Sequence, residues 1–456
     1  MLKSLKFQII ILVFTFCVKS AFAETAPNDG DVVKGISVVS YNMMHFQGVA
    51  KDGPKWARWA DKEWYPNIGK PGYFDFFENV LRSLDADIIA IQEGPVTTHT
   101  NWGGEDGASD ERQIIPELAK RLNMNYYVQD ETKWHGFSVL SKFPIAGAAD
   151  YSHSGTPGSG FIRVSLEVED GKVLHIYNTH LHYKEPHIRD IELKMYTGIM
   201  ESENLRPRIF LGDLNIRSTD DPQLSILNDN GYLGYANRLD QIWIKDNSGI
   251  TVEDFMAIET ELTMRNAETV QTAGSDHLPV KAVINTVFEP RQPSKSSNTA
   301  QGLQYYLYQG GRFYSGTWEK IPDFTTYEIH EAGITQTLNT AYEFEDDPRN
   351  FGMVFTGYID LPKDGLYAFS TKSFGSTRLY IDNMLVVDND GSFHSEAVES
   401  ESGHAYIASG LHPFKLELVS GGQFTFDDKT GIILYYEGPG INKQPIPESK
   451  FFHNEN

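Results

Sequence analysis

The sequence predicts an α/β layered sandwich in its first part and a separate all-β domain in its second part. In residues 33–288, strand-like and helix-like segments interleave, but several strands follow one another directly, which favours a layered sandwich over a strictly alternating barrel. Residues 289–301 contain two prolines and no core-forming residue, so we predict an interdomain linker there. In residues 302–440, short aromatic and β-branched runs are separated by turn residues, which is typical of all-β domains.

The elements of the first part follow from the spacing of apolar residues. Helical spacing is found over 74–84, 114–122 and 188–200. Strands are predicted, in chain order, at 36–40, 87–92, 137–140, 161–168, 173–178, 208–211, 241–244 and 278–287. In the second part they are predicted at 354–359, 366–371, 378–381 and 432–436, with a polar tail over 441–456.

The first 23 residues are predicted to be a signal peptide. Lys3 and Lys6 precede an apolar run over 9–18, and Ala21-Phe22-Ala23 then supplies a small-x-small cleavage site. The run is too short to span a bilayer, and no later apolar stretch is long enough. We therefore expect an exported protein, periplasmic or extracellular, with no transmembrane segment.

Charge and cysteine content exclude several classes of function. The 456 residues carry a formal net charge of −23, and such a field repels polyanions, which argues against tight nonspecific nucleic-acid binding. Cys17 is the only cysteine and lies in the predicted signal peptide. Thiolate nucleophiles and cysteine-based zinc sites are therefore excluded.

Polar side chains stand at or beside the ends of six predicted strands. Acids, amides and histidines in such positions can converge on one rim of a packed sheet, where a rigid scaffold aims them at a ligand. These residues are Asn42, Glu93, His180, Asp213 with Asn215, Asp240, and Asp276 with His277.

This set of side chains suits the hydrolysis of a phosphate ester. The reaction needs a divalent cation to offset phosphate charge, a base for water, and hydrogen-bond donors for the phosphate oxygens. Glu93 and Asp276 offer hard oxygen ligands, which suit Mg²⁺, Mn²⁺ or Ca²⁺ better than zinc. Asp213 could take a proton from the attacking water, whereas His180 and His277 are residues that titrate near neutrality.

In their order, the six motifs resemble those of the endonuclease/exonuclease/phosphatase superfamily, which has the deoxyribonuclease I-like fold. They are Ser40-Tyr41-Asn42, Ile91-Gln92-Glu93, Asn178-Thr179-His180-Leu181, Gly212-Asp213-Leu214-Asn215, Leu239-Asp240-Gln241-Ile242 and Ser275-Asp276-His277-Leu278-Pro279-Val280. A single Gly-Asp-x-Asn is usually a turn, but six unrelated turns in this order are not expected. The resemblance implies a four-layer α/β sandwich, with two central, mainly antiparallel sheets flanked by helices.

The resemblance also implies a metal site. Glu93 would be the principal ligand, with Asn42 and Asp276 beside it. Asp276 would in addition be a carboxylate partner of a histidine. Met44 stands where some family members carry a further acidic ligand, so a second metal contact is not expected at that position.

The same resemblance assigns the catalytic roles. Asp213 would orient or deprotonate the nucleophilic water, and Asn215 would hold the phosphate. His180 and His277 would face the phosphate, and Asp240 would be the carboxylate partner of a histidine.

The fold does not name the substrate, because several activities share it. Nucleic acid, sphingomyelin and phosphoinositide-type lipids are candidates, cleaved as phosphodiesters or phosphomonoesters. Gly212–Arg217 is similar to inositol-polyphosphate phosphatases, and Asn178–His182 to neutral sphingomyelinases. Export and acidity argue against DNA repair. Nucleic acid is still possible, but as a substrate only, since Arg163, Arg217 or Lys142 could bind one phosphate.

Two further features of the first part carry weaker signals. His175, His182 and His187 lack motif support and are expected at the surface or behind the site. The insertion over 46–73 combines tryptophans with basic residues. This insertion forms either a loop that faces the substrate or a packed local core, and the sequence does not favour one over the other.

The second part resembles the β-sandwich module named after the anthrax toxin protective antigen, over residues 302–440. The resemblance lies in Gly357–Phe369, Arg378–Asn383, Gly410–Phe414 and Gly431–Tyr436. Carbohydrate-binding members carry an Asp-Asp pair where this chain has Phe374-Gly375, so a calcium-dependent lectin is not expected. A spacer, or a module that contacts glycans or a cell surface, is the favoured interpretation. The alternative for the whole chain is a catalytically degenerate protein that presents this module.

The acids Asp382, Asp388 and Asp390 are either a cation site or solvated turn residues, and the second interpretation is favoured.

Overall fold

The structure is a computed structural model. It describes residues 32–46, 49–50, 73–94, 114–129, 136–151, 160–246, 249–258, 272–273, 275, 277–296, 298–309, 318, 320–338, 351–391, 397–420 and 432–455. The predicted signal peptide and most of the insertion over 46–73 lie outside these residues. Within the described part, no helix combines the length and the hydrophobicity that crossing a membrane requires.

The first domain consists of mixed sheets with few helices. Its strands are β1 (Val32–Asn42), β2 (Val49–Ala50), β3 (Ile88–Gly94), β4 (Asn125–Val128), β5 (Gly136–Ser141), β6 (Ile145–Asp150), β7 (Phe161–Glu169), β8 (Lys172–His180), β9 (Arg208–Asp213), β10 (Tyr232–Asn237), β11 (Asp240–Lys245), β12 (Ile250–Ala257), β13 (Thr272–Ala273) and β14 (Val280–Val287). Its helices are α1 (Tyr73–Ser83), α2 (Ile114–Leu122), α3 (Pro186–Glu203) and α4 (Ser225–Asp229). The three predicted helices correspond to α1, α2 and α3.

Two six-stranded sheets have the orders β12-β14-β1-β3-β5-β4 and β10-β11-β9-β8-β7-β6. Each contains one parallel pair, β1 with β3 and β8 with β9, and its other neighbours are antiparallel. A parallel pair requires a crossover connection, usually a helix, and α3 supplies it between β8 and β9.

The apolar runs of the central strands are continuous because both of their faces are buried. Ile88 and Ala90 of β3 belong to the core between the two sheets. Ile89 and Ile91 point the other way and pack with Phe77 of α1. On the second sheet, the outer face packs against α3.

The four edge strands β4, β6, β10 and β12 were not predicted, whereas all eight predicted strands of this domain are present. An edge strand pairs on one side only and needs no continuous apolar run. β12, for example, has no buried residue. The patterns that predicted the central strands are therefore absent from the edges.

The second domain is an all-β sandwich. Its strands are β15 (Thr299–Gln301), β16 (Leu303–Gln309), β17 (Glu331–Thr335), β18 (Phe351–Leu361), β19 (Gly365–Ser373), β20 (Ser376–Ile381), β21 (Met384–Asn389), β22 (Val398–Glu399), β23 (Gly403–Ile407), β24 (Gly410–Ser420), β25 (Ile433–Gly438), β26 (Ile441–Pro445) and β27 (Phe451–Asn454). They form an eight-stranded and a five-stranded sheet, and one apolar core contains residues of both.

The predicted tail over 441–456 is wrong, because residues of this segment form β26 and β27. β27 pairs with β15, which lies at the end of the predicted linker, and with β18. Phe451 is buried in the sandwich core. Ile446 is buried in the same core, so two apolar side chains and backbone pairing anchor a segment whose other residues are mostly polar.

The linker is also tied to the second domain by Arg291. Its Nη1 donates to the carbonyl of Ile381, and its Nε lies 3.5 Å from Asp382 Oδ2. Asp382 is also 3.0 Å from His412 Nδ1. It is therefore paired within the protein, as are Asp388 and Asp390, which contact Arg378. These pairings do not favour a cation site.

One contact between the domains lies far from the end of β8. Tyr406 N–H of β23 donates to the carbonyl of Gly171, which directly precedes β8. His180 is at the opposite end of that nine-residue strand, about 30 Å away at 3.3 Å per residue.

Candidate active site

The strand directions of the second sheet bring three of the predicted side chains together. β8 and β9 are parallel and pair His180 with Asp213. β11 is antiparallel to β9 and begins where β9 ends, so that Asp240 pairs with Asp213. His180, Asp213 and Asp240 therefore lie at one edge of this sheet.

The first sheet supplies the others at the same edge. β1 and β3 are parallel and end at Asn42 and Glu93-Gly94. β14 is antiparallel to β1, with Val280 opposite Ser40, which brings the preceding His277 to this edge. Because the two sheets pack face to face, both edges form a single site.

Asp213 is the centre of this site and is 2% exposed. Its Oδ2 lies 3.1 Å from Asn42 Nδ2, 3.4 Å from His180 Nε2 and 3.7 Å from His277 Nε2. Its Oδ1 accepts the backbone N–H of Asn215 at 2.9 Å. A buried carboxylate in this setting is positioned to orient a water molecule and to receive a proton.

Asn42 bridges two carboxylates through its amide nitrogen. Nδ2 donates to Glu93 Oε1 at 3.0 Å and to Asp213 Oδ2 at 3.1 Å. The amide orientation is set by Met44, whose backbone N–H can only donate and lies 3.0 Å from Asn42 Oδ1. The oxygen that a cation would need is therefore already shared with Met44, so Asn42 acts as a bridge in this geometry. Its ligand role stays a prediction.

Asp240 and His277 form the predicted carboxylate–histidine pair. His277 Nδ1 is 2.8 Å from Asp240 Oδ2, so its Nε2 is left to face Asp213. Burial raises the pKa of Asp240 to about 6, and the hydrogen bond from His277 opposes this shift. The ionised carboxylate orients the ring and would stabilise its protonated form.

The residues fit a hard divalent cation. The ion pairs of Asp213 and Asp240 within the described ranges are with histidines alone, so no lysine or arginine there neutralises these two acids. Asp213, Asp240 and His277 can each place one ligand atom within 4.8 Å of the others. Glu93 adds a partly exposed carboxylate beside them. Asp276, the third predicted ligand, lies outside the described residues.

Two residues of the site have left-handed backbone conformations that non-glycine residues rarely adopt. Glu93 has φ 48° and Asn215 has φ 52°. Asparagine tolerates this region, but for glutamate the cost is on the order of 1–3 kcal/mol. Such strain persists where the surrounding structure holds it, and it is common at functional sites. The side chain of Asn215 donates to the carbonyl of Leu181 at 2.8 Å, so part of its hydrogen-bonding capacity is already used.

A buried polar network behind the site was missed by the sequence analysis. Gln92 Nε2 donates to Asn178 Oδ1 at 2.7 Å and lies 3.2 Å from Ser40 Oγ. Asn178 in turn donates to the carbonyl of Ile91 at 2.9 Å. These bonds tie the two sheets together directly beneath the catalytic candidates. The sequence does contain a signal for this network, because each of these polar residues interrupts an apolar run within one of the six family motifs.

Basic residues and the remaining histidines have other roles. Arg163 is 3.3 Å from Glu203 and Lys142 is 2.9 Å from Asp87, at the start of β3, so neither is placed to bind phosphate. Arg217 is exposed, two residues beyond Asn215.

The three histidines without motif support differ from one another. His182 Nδ1 accepts the N–H groups of Lys184 and Glu185, and His187 is exposed. His175 is buried, which lowers its pKa well below the usual value, so it does not lie at the surface. Its Nδ1 lies 2.8 Å from Ser165 Oγ.

Replacing Gly212 with alanine should destabilise the protein and reduce activity, because β8 leaves no space for a side chain at this position of β9. Gly212 has φ 148°, and a Cβ atom would lie 1.9 Å from the carbonyl oxygen of Thr179. We expect the free energy of unfolding, measured by urea denaturation, to fall by about 1–3 kcal/mol. The control is Gly198→Ala in the middle of α3, where nothing lies within 4 Å of the added Cβ. It should stabilise the protein by about 1 kcal/mol. Equal stability of the two variants would contradict the packing described for β8 and β9.

This arrangement of carboxylates, histidines and amides, at the shared edge of two face-packed mixed sheets, belongs to a class of hydrolases that act on phosphate esters. The chain is a member of the endonuclease/exonuclease/phosphatase family: the family model matches residues 39–277, which is just over half of its length. It is therefore a phosphate-ester hydrolase, in a family where metal dependence is typical. Residues 300–450 match the PA14 domain, which confirms the protective-antigen-type sandwich.

Several solved structures are similar to the chain at low sequence identity. An endonuclease/exonuclease/phosphatase family protein from Bacteroides thetaiotaomicron has 16% identity and a TM-score of 0.41, and the match covers 56% of this chain and 98% of that one. The mannosyl-6-phosphatase of the same organism has 16% identity and a TM-score of 0.39, with 55% and 99% covered. An endonuclease/exonuclease/phosphatase from Beutenbergia cavernae has 13% identity and a TM-score of 0.39, with 89% and 100% covered. No curated protein matches the chain.

Proposed function

We propose that the chain is an exported, divalent-metal-dependent phosphoesterase that cleaves its substrate by attack of water. The observation that carries this proposal is the position of Asp213, which Asn42, His180 and His277 surround at 3.1–3.7 Å. The family membership fixes the reaction class. The metal, the substrate and the export are the proposed parts.

In the proposed mechanism, Asp213 orients the water and accepts its proton as the new P–O bond forms. His277, held by Asp240, donates a hydrogen bond or a proton from Nε2 as the bond to the leaving group breaks. His180, at the end of β8, faces Asp213 as His277 does. Asn215 would hold a phosphate oxygen through the hydrogen-bonding capacity that its amide has left. Glu93, with Asn42 and Asp276, would bind the cation, whose charge offsets that of the phosphate. Mg²⁺, Mn²⁺ and Ca²⁺ suit these oxygen ligands.

The four-layer order of the first domain is part of this proposal. The core between the sheets, the contacts of α1 and α2 with one outer face and those of α3 with the other support it.

Nucleic acid, sphingomyelin and phosphoinositide-type lipids remain the candidate substrates, as phosphodiesters or phosphomonoesters. Arg217 supports the binding of one phosphate, because it is exposed and follows Asn215 directly after Ile216. The net charge of −23 argues against extended contact with a polyanion.

The second domain is proposed to contact glycans or a cell surface. A cavity of about 760 Å³ on this domain supports the proposal. Besides the charged Lys415 and Glu455, its lining includes amide, hydroxyl and imidazole side chains that can form hydrogen bonds with a polyhydroxylated ligand, among them Asn298, Gln304, Thr356, Tyr358 and His453. Export is supported by the charged, apolar and small-residue pattern of residues 1–23.

A chelation assay tests the metal dependence. Hydrolysis of bis(p-nitrophenyl) phosphate by the purified chain should fall to background in EDTA and return when Mg²⁺ or Mn²⁺ is added in excess, because the acids of the site need a cation to bind phosphate. p-Nitrophenyl phosphate, duplex DNA, RNA, sphingomyelin and phosphoinositides, assayed in parallel, would rank the substrates. Activity that persists in EDTA would contradict the metal requirement. A folded protein that is inactive with every divalent metal and substrate would favour the degenerate binding protein instead.

A further inference from the structure

The backbone directly after His180 is hydrogen-bonded on the side of β9. Leu181 N–H donates to the carbonyl of Asp213 at 2.9 Å, and the side chain of Asn215 donates to the carbonyl of Leu181 at 2.8 Å. Leu181, the first residue beyond β8, is therefore attached to the end of β9, which carries the central carboxylate, and to Asn215 just after it.

The next residue, His182, is held by two side chains of α3. His182 N–H donates to Glu192 Oε2 at 2.9 Å, and Arg189 Nη1 donates to the carbonyl of His182 at 3.0 Å. Glu192 and Arg189 are three residues apart and so lie on one face of the helix. Together they bind both polar atoms of a single residue, and we call this arrangement the α3 clamp.

Arg189 is itself held in place. Its Nε and Nη2 lie 3.3 and 3.1 Å from Gln223 Oε1. Gln223 Nε2 donates in turn to the carbonyl of Pro186, at the start of α3, at 2.7 Å. Gln223 therefore connects the guanidinium of Arg189 to the first turn of α3.

Glu192 is an unusual residue for its location. It is fully buried, and its Oε1 has no hydrogen-bond partner in the described part of the chain. Burial raises its pKa to about 7, and the hydrogen bond from His182 and the charge of Arg189 oppose this shift only in part. An apolar residue would occupy this position at lower cost. The carboxylate therefore serves something other than packing.

We propose that Glu192 is a positioning residue for His180, which it holds against Asp213 through the α3 clamp. The inference rests on the proposed function of the site. His180 Nε2 lies 3.4 Å from Asp213 Oδ2, and a displacement of about 1 Å at an active site can cost about 100-fold in rate. Without the clamp, the end of β8 would keep its bonds to β7 and β9, but the segment that directly follows His180 would lose its bonds to α3.

The test compares Glu192→Leu, which removes the acceptor, with Glu192→Gln, which keeps an oxygen for His182 N–H. The leucine variant leaves His182 N–H without this acceptor, at a cost of about 1–3 kcal/mol in stability, so a thermal unfolding curve accompanies the kinetics and shows that the variant is folded. With bis(p-nitrophenyl) phosphate, it should lose at least about tenfold in kcat with KM changed less than about twofold. The glutamine variant should stay within about threefold of the wild type. The matched control is Thr197→Val, a buried position on the same helix whose side chain is not part of the clamp.

Hydrogen exchange of the amides of residues 181–185 gives a readout that needs no activity. It should become at least about tenfold faster in Glu192→Leu and stay unchanged in Glu192→Gln and Thr197→Val. Unchanged exchange in the leucine variant would overturn the clamp, and faster exchange with wild-type kcat would overturn its positioning role. If the wild type hydrolyses no phosphate ester, the proposed function of the site fails, and exchange still decides whether the clamp exists.

Discussion

Asp213→Asn should lower kcat on bis(p-nitrophenyl) phosphate by about a hundredfold or more. The substitution keeps the shape of the side chain but removes its charge and its ability to accept a proton. Asn42 Nδ2 and the two histidine nitrogens then lose the carboxylate that they share at 3.1–3.7 Å. Steady-state kinetics in Mg²⁺, together with a thermal unfolding curve, measures the effect and shows that the variant is folded.

The control for this experiment is Asp220→Asn. Asp220 is exposed in the turn that follows the same strand, and its backbone N–H donates to Ser218 Oγ. Asp220→Asn makes the same chemical change seven residues away, and its kcat should stay within about twofold of the wild-type value. If Asp213→Asn retained near-full activity, the role of Asp213 as base or water-orienting group would be wrong.

Asp240→Asn and His277→Ala should each reduce kcat/KM by about a hundredfold. The kcat/KM of the double variant should be no lower than that of the less active single variant. Asp240 acts on the reaction only through the ring that it holds at 2.8 Å, so its effect disappears once His277 is absent. The pair therefore behaves as one unit, and a double-mutant cycle measures the coupling between its members. Effects that multiply would mean that the two residues act separately.

The second domain offers a matched control for this cycle. His412 and Asp382 form a similar pair, with Nδ1 and Oδ1 3.0 Å apart and the histidine fully buried. Asp382→Asn perturbs that pair without touching the first domain's site. It should leave kcat unchanged, whatever its effect on the stability of the sandwich.

The central strands were predictable because both of their faces are buried. Ile88 to Ile91 form an unbroken apolar run, since alternate residues face the other sheet and α1. The edge strands have no such requirement. Residues 441–454 likewise join the second sandwich through backbone pairing and a few buried side chains, which composition does not reveal.

The order of polar residues at strand ends was sufficient to identify the family and to nominate Asn42, Glu93, His180, Asp213 and His277. Each of them follows or precedes an apolar run that the strand pattern locates. Their distances depend instead on strand direction, on register and on the approach of two sheets, which bring together residues up to 235 positions apart. The orientation of Asn42 and the network of Gln92 and Asn178 arise from that approach, whereas the burial of Glu192 arises from the packing of α3 against the outer face of the second sheet. Local patterns record which faces of a chain are buried, whereas contacts between distant segments exist only once those faces have packed.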